Sequence, residues 1–460
     1  MNIHPVVKEI SAIFSNQGKQ VYLVGGAVRD LLRSRKAKDW DLATDALPDE
    51  VIAFFKEKSG PGGKPLGFVI PTGIKHGTVT VHFRGNEFEV TTFRADKGYS
   101  DGRRPDTVEF GVSIDEDLAR RDFTMNAAAY KLPEGPLTDP FNGCADIKAK
   151  LIRSVGNPVE RFAEDGLRPV RAMRFASQLG FQVDDAVLAA IPAALPLTAK
   201  VAPERMRDEL DKIIMSPEPS AAFLLMEKTG LLELILPDLA ACRGVDQKGF
   251  HRFDVLEHSL LACDFAAREN APREVRLAAI FHDLGKKTTR KLGDKGVWTF
   301  HQHEEESSRL AKEIMLNFRY PNAVMDKVCH LIEEHMFHYE DNWTDAAVRR
   351  FIIRAGEEDL PDLYALRRAD AYGTAKTEPA PDFLLPLTRR VEKVLAGSRA
   401  LSLKDLAVTG YDLKEAHVKP GKHMGIILNE LLEAVIDDPS LNTREKLIQI
   451  AANINERYSV

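Results

Sequence analysis

The sequence predicts an α+β fold, with a mixed strand-and-helix head followed by helices to the end. Three observations predict it. Short apolar or alternating strands, "VYLV" (21–24), "GTVTVHF" and "EFEVTTFR", crowd the first 140 residues. From about residue 145 the pattern changes to amphipathic helices such as "LRPVRAMRFASQLGF" and "ERMRDELDKIIMS". The 460 residues exceed one ordinary core, so two to four domains are expected.

The head is justified element by element. "VYLV" runs into "GGAVRDLLRS", a strand followed by a helix start. Gly25 and Gly26 at that junction let the backbone approach a phosphate, and a helix N-terminus favours an anion. The pair lacks the G-x-G-x-x-G and G-K-[ST] patterns, so a plain tight turn explains it as well. In "KDWDLATDA" (38–46), Asp39 and Asp41 share one face of a strand, and Trp40 and Leu42 face a core. Adjacent carboxylates repel unless a cation sits between them, which points to a divalent metal site or to a polar strand edge. The next two strands form a hairpin joined at Gly85-Asn86. Their alternation places Glu87, Glu89 and Thr91 on one face. Glu89 either joins Asp39 and Asp41 or is a solvent-facing strand acid. Three carboxylates around two Mg²⁺ ions are what in-line phosphoryl transfer requires. "FRADKGYSDGRRPDTVEF" (93–110), charged and poor in apolar residues, is expected to be a mobile loop.

The helical remainder breaks near Pro192–Pro196, Pro217–Pro219 and Pro237, and "KTEPAPD" (376–382) marks a boundary. The resulting organisation is 1–140, 141–240, 241–380 and 381–460. Eight of the thirteen histidines fall between His251 and His338. His258, His282, Asp283, His303, His335 and Asp370, spread over successive helices, suit a mono- or dinuclear metal centre, against the alternative of satisfied core histidines. His251, His301, His330 and His338 are assigned to the surface or to supporting positions.

A net charge of −6 excludes a globally basic nucleic-acid coat. Two local basic clusters remain: Arg29, Arg33, Arg35, Lys36 and Lys38, and Arg161, Arg168, Arg171 and Arg174. No apolar run is long enough for a membrane span, and the N-terminus is unlike a signal peptide. Cys144, Cys242, Cys263 and Cys329 show no C-x-x-C spacing and read as buried thiols in a reducing cytoplasm.

"LVGGAVRDLL", "KDWDLAT", "HGTVTV", "FEVTTFR", "RRDFTMNA", "DPFNG" and "EDGLRPVRAMRFASQLGF" occur in this order. This ordered set, over roughly residues 20–240, resembles the class II tRNA nucleotidyltransferases, the bacterial CCA-adding enzymes and their poly(A) polymerase relatives. The resemblance implies a Pol β-like nucleotidyltransferase head with a mixed β-sheet, an all-α neck and body, and an α-helical C-terminal HD domain. It implies that Asp39 and Asp41 bind catalytic Mg²⁺ with Glu89 at the same site, and that Gly25, Gly26, Arg29 and Asp30 lie at the triphosphate. Arg121 and Asp122 would touch the incoming nucleotide or organise its pocket, with Asn126 also nucleotide-binding; a helix cap and an ion pair are the alternative for them and suffice for Arg120, and the 93–110 loop would help the switch between nucleotides.

The family's nucleotide-reading motif corresponds to Glu164, Asp165 and Arg168, with Arg171 and Arg174 beyond it. On a helix, Asp165 and Arg168 share a face. The aspartate accepts from the amino group of cytosine or adenine, and the arginine donates to the neighbouring ring nitrogen. Uracil and guanine present the reverse pattern, at a cost of about 1–3 kcal/mol per mismatch. An ordinary surface ion pair is the alternative.

The region from His258 to Asp370 resembles the HD phosphohydrolases, with His258, His282, Asp283 and Asp370 matching the ligand pattern and His303 and His335 in the extra positions of two-metal members. In some bacterial CCA-adding enzymes such a domain hydrolyses phosphate esters, including 2′,3′-cyclic phosphates at RNA ends. By analogy, residues 381–460 grip the tRNA elbow. The expected activity is addition of CCA to tRNA from CTP and ATP, in the cytoplasm, with no membrane and no obligate protein partner. "LGFVIPTGIKHGTVTV" stands where poly(A) polymerases carry an arginine-rich block. CC-only or A-only addition, or poly(A) synthesis, stays open, as does an HD phosphohydrolase with a non-catalytic RNA-binding head.

Overall fold

The computed structural model describes residues 3–37, 39–56, 67–98, 102, 106–247, 252–293, 297–397, 402–415, 418 and 421–458. It forms two compact units, Met1–Ala240 and Ala241–Val460. Among the described residues no helix is long and apolar enough to cross a membrane.

The first unit is organised by a seven-stranded sheet. Its strands are β1 (Val21–Val24), β2 (Trp40–Thr44), β3 (Gly67–Gly73), β4 (Thr78–Phe83), β5 (Asn86–Thr92), β8 (Ala129–Lys131) and β9 (Leu137–Thr138), in the order β3-β4-β5-β2-β1-β8-β9. β2 and β5 run parallel and the other neighbours antiparallel, so the sheet is mixed as expected. The period of two sends alternate side chains to opposite faces. One face buries Leu23, Leu42, Val81 and Phe88 under helices α1 (Pro5–Ser15) and α3 (Pro48–Lys56), through Ile10, Phe14, Val51 and Phe55. The other buries Tyr22, Val24, Ala43 and Ala129 with Phe93 and Leu118. The β4–β5 turn is Arg84-Gly85, one residue earlier than expected, with Phe83 paired to Asn86. Both turn residues have positive φ, +52° and +73°, the handedness that matches strand twist.

The expected mobile loop has ordered stems. β6 (Arg94–Lys97) and β7 (Thr107–Phe110) pair as an antiparallel ribbon; 99–101 and 103–105 lie outside the described residues, as does Lys38 of the first basic cluster. Helix α2 (Gly25–Leu32) follows β1 directly, and α4 (Ile114–Ala119) starts at a Ser113/Glu116 capping box.

After α5 (Gly143–Ala149), a short parallel pair β10 (Leu151–Ile152) and β11 (Gln182–Val183) brackets α6 (Pro158–Glu164) and α7 (Arg168–Leu179). Helix α8 (Asp185–Thr198) runs through Pro192 and Pro196, where the sequence suggested a break. Then come α9 (Pro203–Ile214), α10 (Pro219–Thr229), α11 (Leu231–Ile235) and α12 (Pro237–Ala240). Pro219 and Pro237 do open helices, where a missing N–H costs nothing.

The second unit is helical: α13 (Val255–Arg268), α14 (Arg273–Phe281), α15 (Lys286–Thr289), α16 (His303–Asn317), α17 (Asn322–Glu334), α18 (Asp345–Ala355), α19 (Leu360–Ala375), α20 (Leu385–Gly397), α21 (Gly410–Glu415), α22 (Lys422–Asp437) and α23 (Arg444–Tyr458). A two-residue ribbon, β12 (Lys291–Leu292) with β13 (Trp298–Thr299), interrupts it. Helices α13, α14 and α19 pack together, and α21–α23 share an apolar cluster of Leu413, Ile427, Leu431 and Leu447.

Candidate active site and candidate metal centre

A cleft of about 680 Å³ opens in the first unit. Gly25, Gly26, Arg29, Asp39, Asp41, Glu89, Arg121, Asp122, Asn126, Asp165, Arg168, Arg171 and Arg174 all line it, with Arg120, Leu167, Phe175, Arg205 and Lys212. The strand acids thus share a cavity with the residues after α6.

The acids meet because β2 and β5 are parallel neighbours. Asp41 lies directly opposite Glu89 in register, and Asp39 immediately precedes β2. The pKa of Asp41 is raised to about 6, chiefly by burial and then by Glu89 and Asp39, against Arg121 and Arg29. Carboxylates raised by their own neighbours are what a cation relieves, so this trio fits a divalent metal. Gly25 sits at φ +65°, and a Cβ there would come within 3.1 Å of Asp41 Oδ2 and 3.2 Å of Arg121 Nη1. The glycine lets the first turn of α2 lie against the acids.

A chain of charged groups stiffens the other wall. Arg29 Nη1 donates to Asn126 Oδ1 at 3.0 Å, and Asn126 Nδ2 donates to Asp122 Oδ1 at 3.2 Å. Arg171 Nε donates to Asp122 Oδ2 at 2.8 Å. Burial alone would raise the pKa of Asp122, but Arg171, Arg168 and Asn126 hold it down at about 2. Arg174 pairs with the buried Glu209 and stacks 3.9 Å from the Phe175 ring centroid. Asp30 and Glu164 are not among the lining residues; Asp30 pairs with Arg29, and Glu164 with Arg161 and Arg168.

The Glu164–Arg168 segment corrects the sequence expectation of a continuous helix. Asp165 and Arg168 do not share a helix face. Asp165 is the extended residue that ends α6, and Arg168 begins α7. The break is enforced at Gly166, where a Cβ would lie 2.7 Å from Leu197 O and 2.9 Å from Thr198 N. The Arg168 guanidinium does not reach the Asp165 carboxylate: the backbone N–H of Arg168 donates to Asp165 O at 3.0 Å, while its Nη1 donates to Glu164 and to Arg161 O, and its Nη2 to Arg120 O. The partner of Asp165 is Arg205, on α9, with Nη2–Oδ2 2.6 Å and Nη1–Oδ1 3.2 Å. Sequence reasoning missed Arg205, Lys212, Phe175 and Glu209. Arg205, Glu209 and Lys212 lie on α9, joined to the site only by tertiary packing, and Phe175, on α7 beside Arg174, carries no charge to mark it.

In the second unit a buried cluster assembles from five helices or helix ends. His258 lies on α13, His282 caps α14 with Asp283 beside it, His303 opens α16, His335 caps α17, and Asp370 lies on α19. His258 Nε2 lies 3.0 Å from His282 Nε2, 3.1 Å from Asp283 Oδ2 and 3.3 Å from Asp370 Oδ1. His303 Nε2 lies 3.3 Å from Asp283 Oδ1. Two groupings with metal-ligand spacing result, His258/His282/Asp283 and Asp283/His303/His335, sharing Asp283. In each of His282, His303 and His335, Nδ1–H donates to a carbonyl three residues earlier, at 2.9, 2.8 and 2.6 Å (Ala279, Phe300, Ile332). That bond fixes the tautomer and turns the Nε2 lone pair inward, the orientation of a ligating imidazole. Burial is outweighed at both acids by their histidines, which, with Lys286 at Asp283, hold the carboxyls well below the usual range. The donor set fits a divalent transition metal or zinc. His301 and His338 are exposed and His330 donates to Ala355 O, outside the cluster; His251 is outside the described residues.

Comparison with known proteins places both units. Residues 21–153 match the family described as "Poly A polymerase head domain", residues 180–243 "Probable RNA and SrmB- binding site of polymerase A", and residues 295–451 tRNA nucleotidyltransferase domain 2. The chain is 44% identical to the CCA-adding enzyme of Geobacillus thermodenitrificans over 276 residues, 60% of this chain and 62% of that protein. It is 31% identical to the CCA-adding enzyme of Limosilactobacillus reuteri over 98% of this chain and 99% of that one. The crystal structure of the Bacillus stearothermophilus CCA-adding enzyme in complex with CTP superposes with TM-score 0.74 at 30% identity, covering 99% of both chains. Carried by likeness over nearly its whole length, and with the acids and arginines gathered in one cleft, the chain belongs to the CCA-adding enzyme family.

Proposed function

We propose that this chain adds CCA to the 3′ ends of tRNA, using CTP and ATP and no nucleic-acid template, with release of pyrophosphate. The observation that carries the proposal is the cleft itself: Asp39, Asp41 and Glu89 share it with Asp165 and Arg168. Asp39, Asp41 and Glu89 would hold Mg²⁺, which when bound neutralises triphosphate charge and favours the ionised 3′-hydroxyl. Arg29 and Arg121, beside the α2 N-terminus at Gly25 and Gly26, bind the triphosphate. The tRNA 3′-oxygen attacks the α-phosphorus, and the bond to the β-phosphate oxygen breaks. Asp122, held by Asn126 and Arg171, keeps the pocket wall rigid. Asp165 accepts from the amino group of cytosine or adenine. Arg168, its named bonds leaving Nε–H and one Nη2–H, donates to the adjacent ring nitrogen.

The test uses transcripts ending at the discriminator base, at C and at CC, each with CTP, ATP or both. Full CCA activity yields two C with CTP alone on the first substrate, one A with ATP alone on the last, and CCA with both. CC-only, A-only or untemplated poly(A) products would each replace the reading by that activity. Asp41→Ala abolishes all incorporation; unchanged incorporation would mean an inert, RNA-binding head.

A second reading rests on the buried cluster of His258, His282, Asp283, His303, His335 and Asp370. The second unit would carry an HD-type phosphohydrolase centre holding two divalent ions that share Asp283, acting on phosphate at RNA 3′ ends. Two molar equivalents of metal, and hydrolytic opening of a terminal 2′,3′-cyclic phosphate to a phosphomonoester that His282→Gln abolishes, would support it. A metal-free and inert native chain would remove it. Within this proposal, residues 381–460 contact the tRNA, and the enzyme works in the cytoplasm, consistent with four free cysteines.

A further inference from the structure

The pairing of Asp165 with Arg205 assigns a role to a residue that no motif singles out. Asp165 stands at a helix break, in extended backbone, with neither helix to restrain its side chain. Its orientation is set from elsewhere. Leu167 N–H donates to Oδ1 at 3.0 Å, and the Arg205 guanidinium spans both oxygens at 2.6 and 3.2 Å. Arg205 reaches across from α9, and both residues line the cleft. A bidentate fork fixes the plane of a carboxylate, not merely its distance, and with Leu167 N–H on Oδ1 it leaves a lone pair on Oδ2 for another donor.

The neighbouring cations make that restraint necessary. Arg171 feels the charge of Asp165, although its strongest partners are Asp122 and Glu209. Arg168 is tethered close by to Glu164 and two carbonyls. An unrestrained Asp165 would turn toward these guanidiniums, and its acceptor edge would leave the plane of an incoming base.

We infer that Arg205 is a specificity-determining positioning residue: it holds the Asp165 carboxylate in the plane and direction from which the amino groups of cytosine and adenine are selected over the carbonyls of uracil and guanine. The inference rests on the reading of Asp165 as the base-selecting acceptor. Arg205 itself need touch neither base nor phosphate.

The test compares wild type, Arg205→Gln, Arg205→Lys and Asp165→Ala on full-length enzyme with a transcript ending at the discriminator base. CTP and UTP are supplied separately, and kcat and KM are measured for each. Thermal melting and circular dichroism check the fold, and Arg205→Lys keeps the charge should Arg205→Gln unfold. The expected result is that Arg205→Gln and Arg205→Lys each lower the CTP:UTP ratio of kcat/KM by about 10-fold or more, mainly through the KM for CTP, with kcat for CTP within about 3-fold. Lysine cannot form the fork, so it restores melting temperature without restoring selectivity. Four outcomes overturn the inference. One is an equal loss with both nucleotides at unchanged selectivity, the signature of a merely structural pair. Another is full selectivity in Arg205→Lys, which would make charge alone sufficient. The third is full selectivity in Asp165→Ala, which removes the reading beneath it. Relaxed selectivity in Asp165→Ala with intact selectivity in the Arg205 variants would overturn this inference and leave that reading standing.

Discussion

Asp41 and Asp122 sit in one cleft and titrate in opposite directions. Asp41, raised to about 6 by burial, Glu89 and Asp39, keeps a proton in the metal-free fold at pH values where the unfolded chain has lost it. The metal-free chain therefore loses stability as pH rises from about 4 to about 6. With chelator present, Asp41→Asn should remove this part of the pH dependence and melt higher than wild type near neutral pH, while incorporating no nucleotide. A parallel pair of melting curves against pH checks it. Mg²⁺ should raise the melting temperature of wild type and not of the variant. Asp122 has the other sign. Its folded value of about 2 lies below the unfolded value, so its contribution is complete above about pH 4 and is lost as pH falls through about 2. Asp122→Asn should cost about 3 kcal/mol near neutral pH, with the gap to wild type closing in acid, as read by denaturant titration. The acids were legible in the sequence because a strand has period two; Arg205 was not, because an ion pair across 40 residues leaves no periodic trace.

Elements show where local pattern stops being a guide. "EDGLRP" looks helical by charge spacing, yet it contains a glycine and a proline, the two residues that punctuate helices. The structure uses both: Gly166 passes against the backbone of α8, and Pro169 sits in the first turn of α7. Gly166→Ala must displace α8 or the reading segment; the expected cost is about 2–3 kcal/mol in chemical denaturation, with a larger fall in nucleotide selectivity than in pyrophosphate release from CTP. Prolines misled in the opposite sense at α8, which continues through Pro192 and Pro196 because its other face is buried by Val187, Ala190, Ile191 and Ala194. Packing there outweighs the lost backbone bonds. The β4–β5 turn shifted by one residue because Arg84 accepts positive φ before Gly85.

At the scale of the molecule, each unit carries its own cluster of candidate metal ligands, carboxylates in an open cleft in the first and mostly histidines buried among helices in the second. Their chemistries should separate. His282→Gln should lower the metal retained after gel filtration by at least one equivalent and leave CCA addition to intact transcripts within about 2-fold. Asp39→Ala should do the reverse; metal analysis and incorporation on the same preparations check both. The head was legible to the level of its mixed sheet because strands, glycines and acids came in a readable order. The second unit was legible only as a list of histidines, since helical periodicity alone does not say which helices meet.

One detail of that buried cluster reaches further. Three of its imidazoles are each fastened by the far nitrogen to a carbonyl three residues earlier in the chain. A ring so fastened cannot flip without breaking that bond and leaving its own N–H unpaired in the dry interior. The aromatic rotors are thereby locked during folding, and an arriving ion would find its donors already aimed. Capture should then proceed at a rate limited by entry and shedding of hydration water, with no slow side-chain rearrangement in a stopped-flow trace.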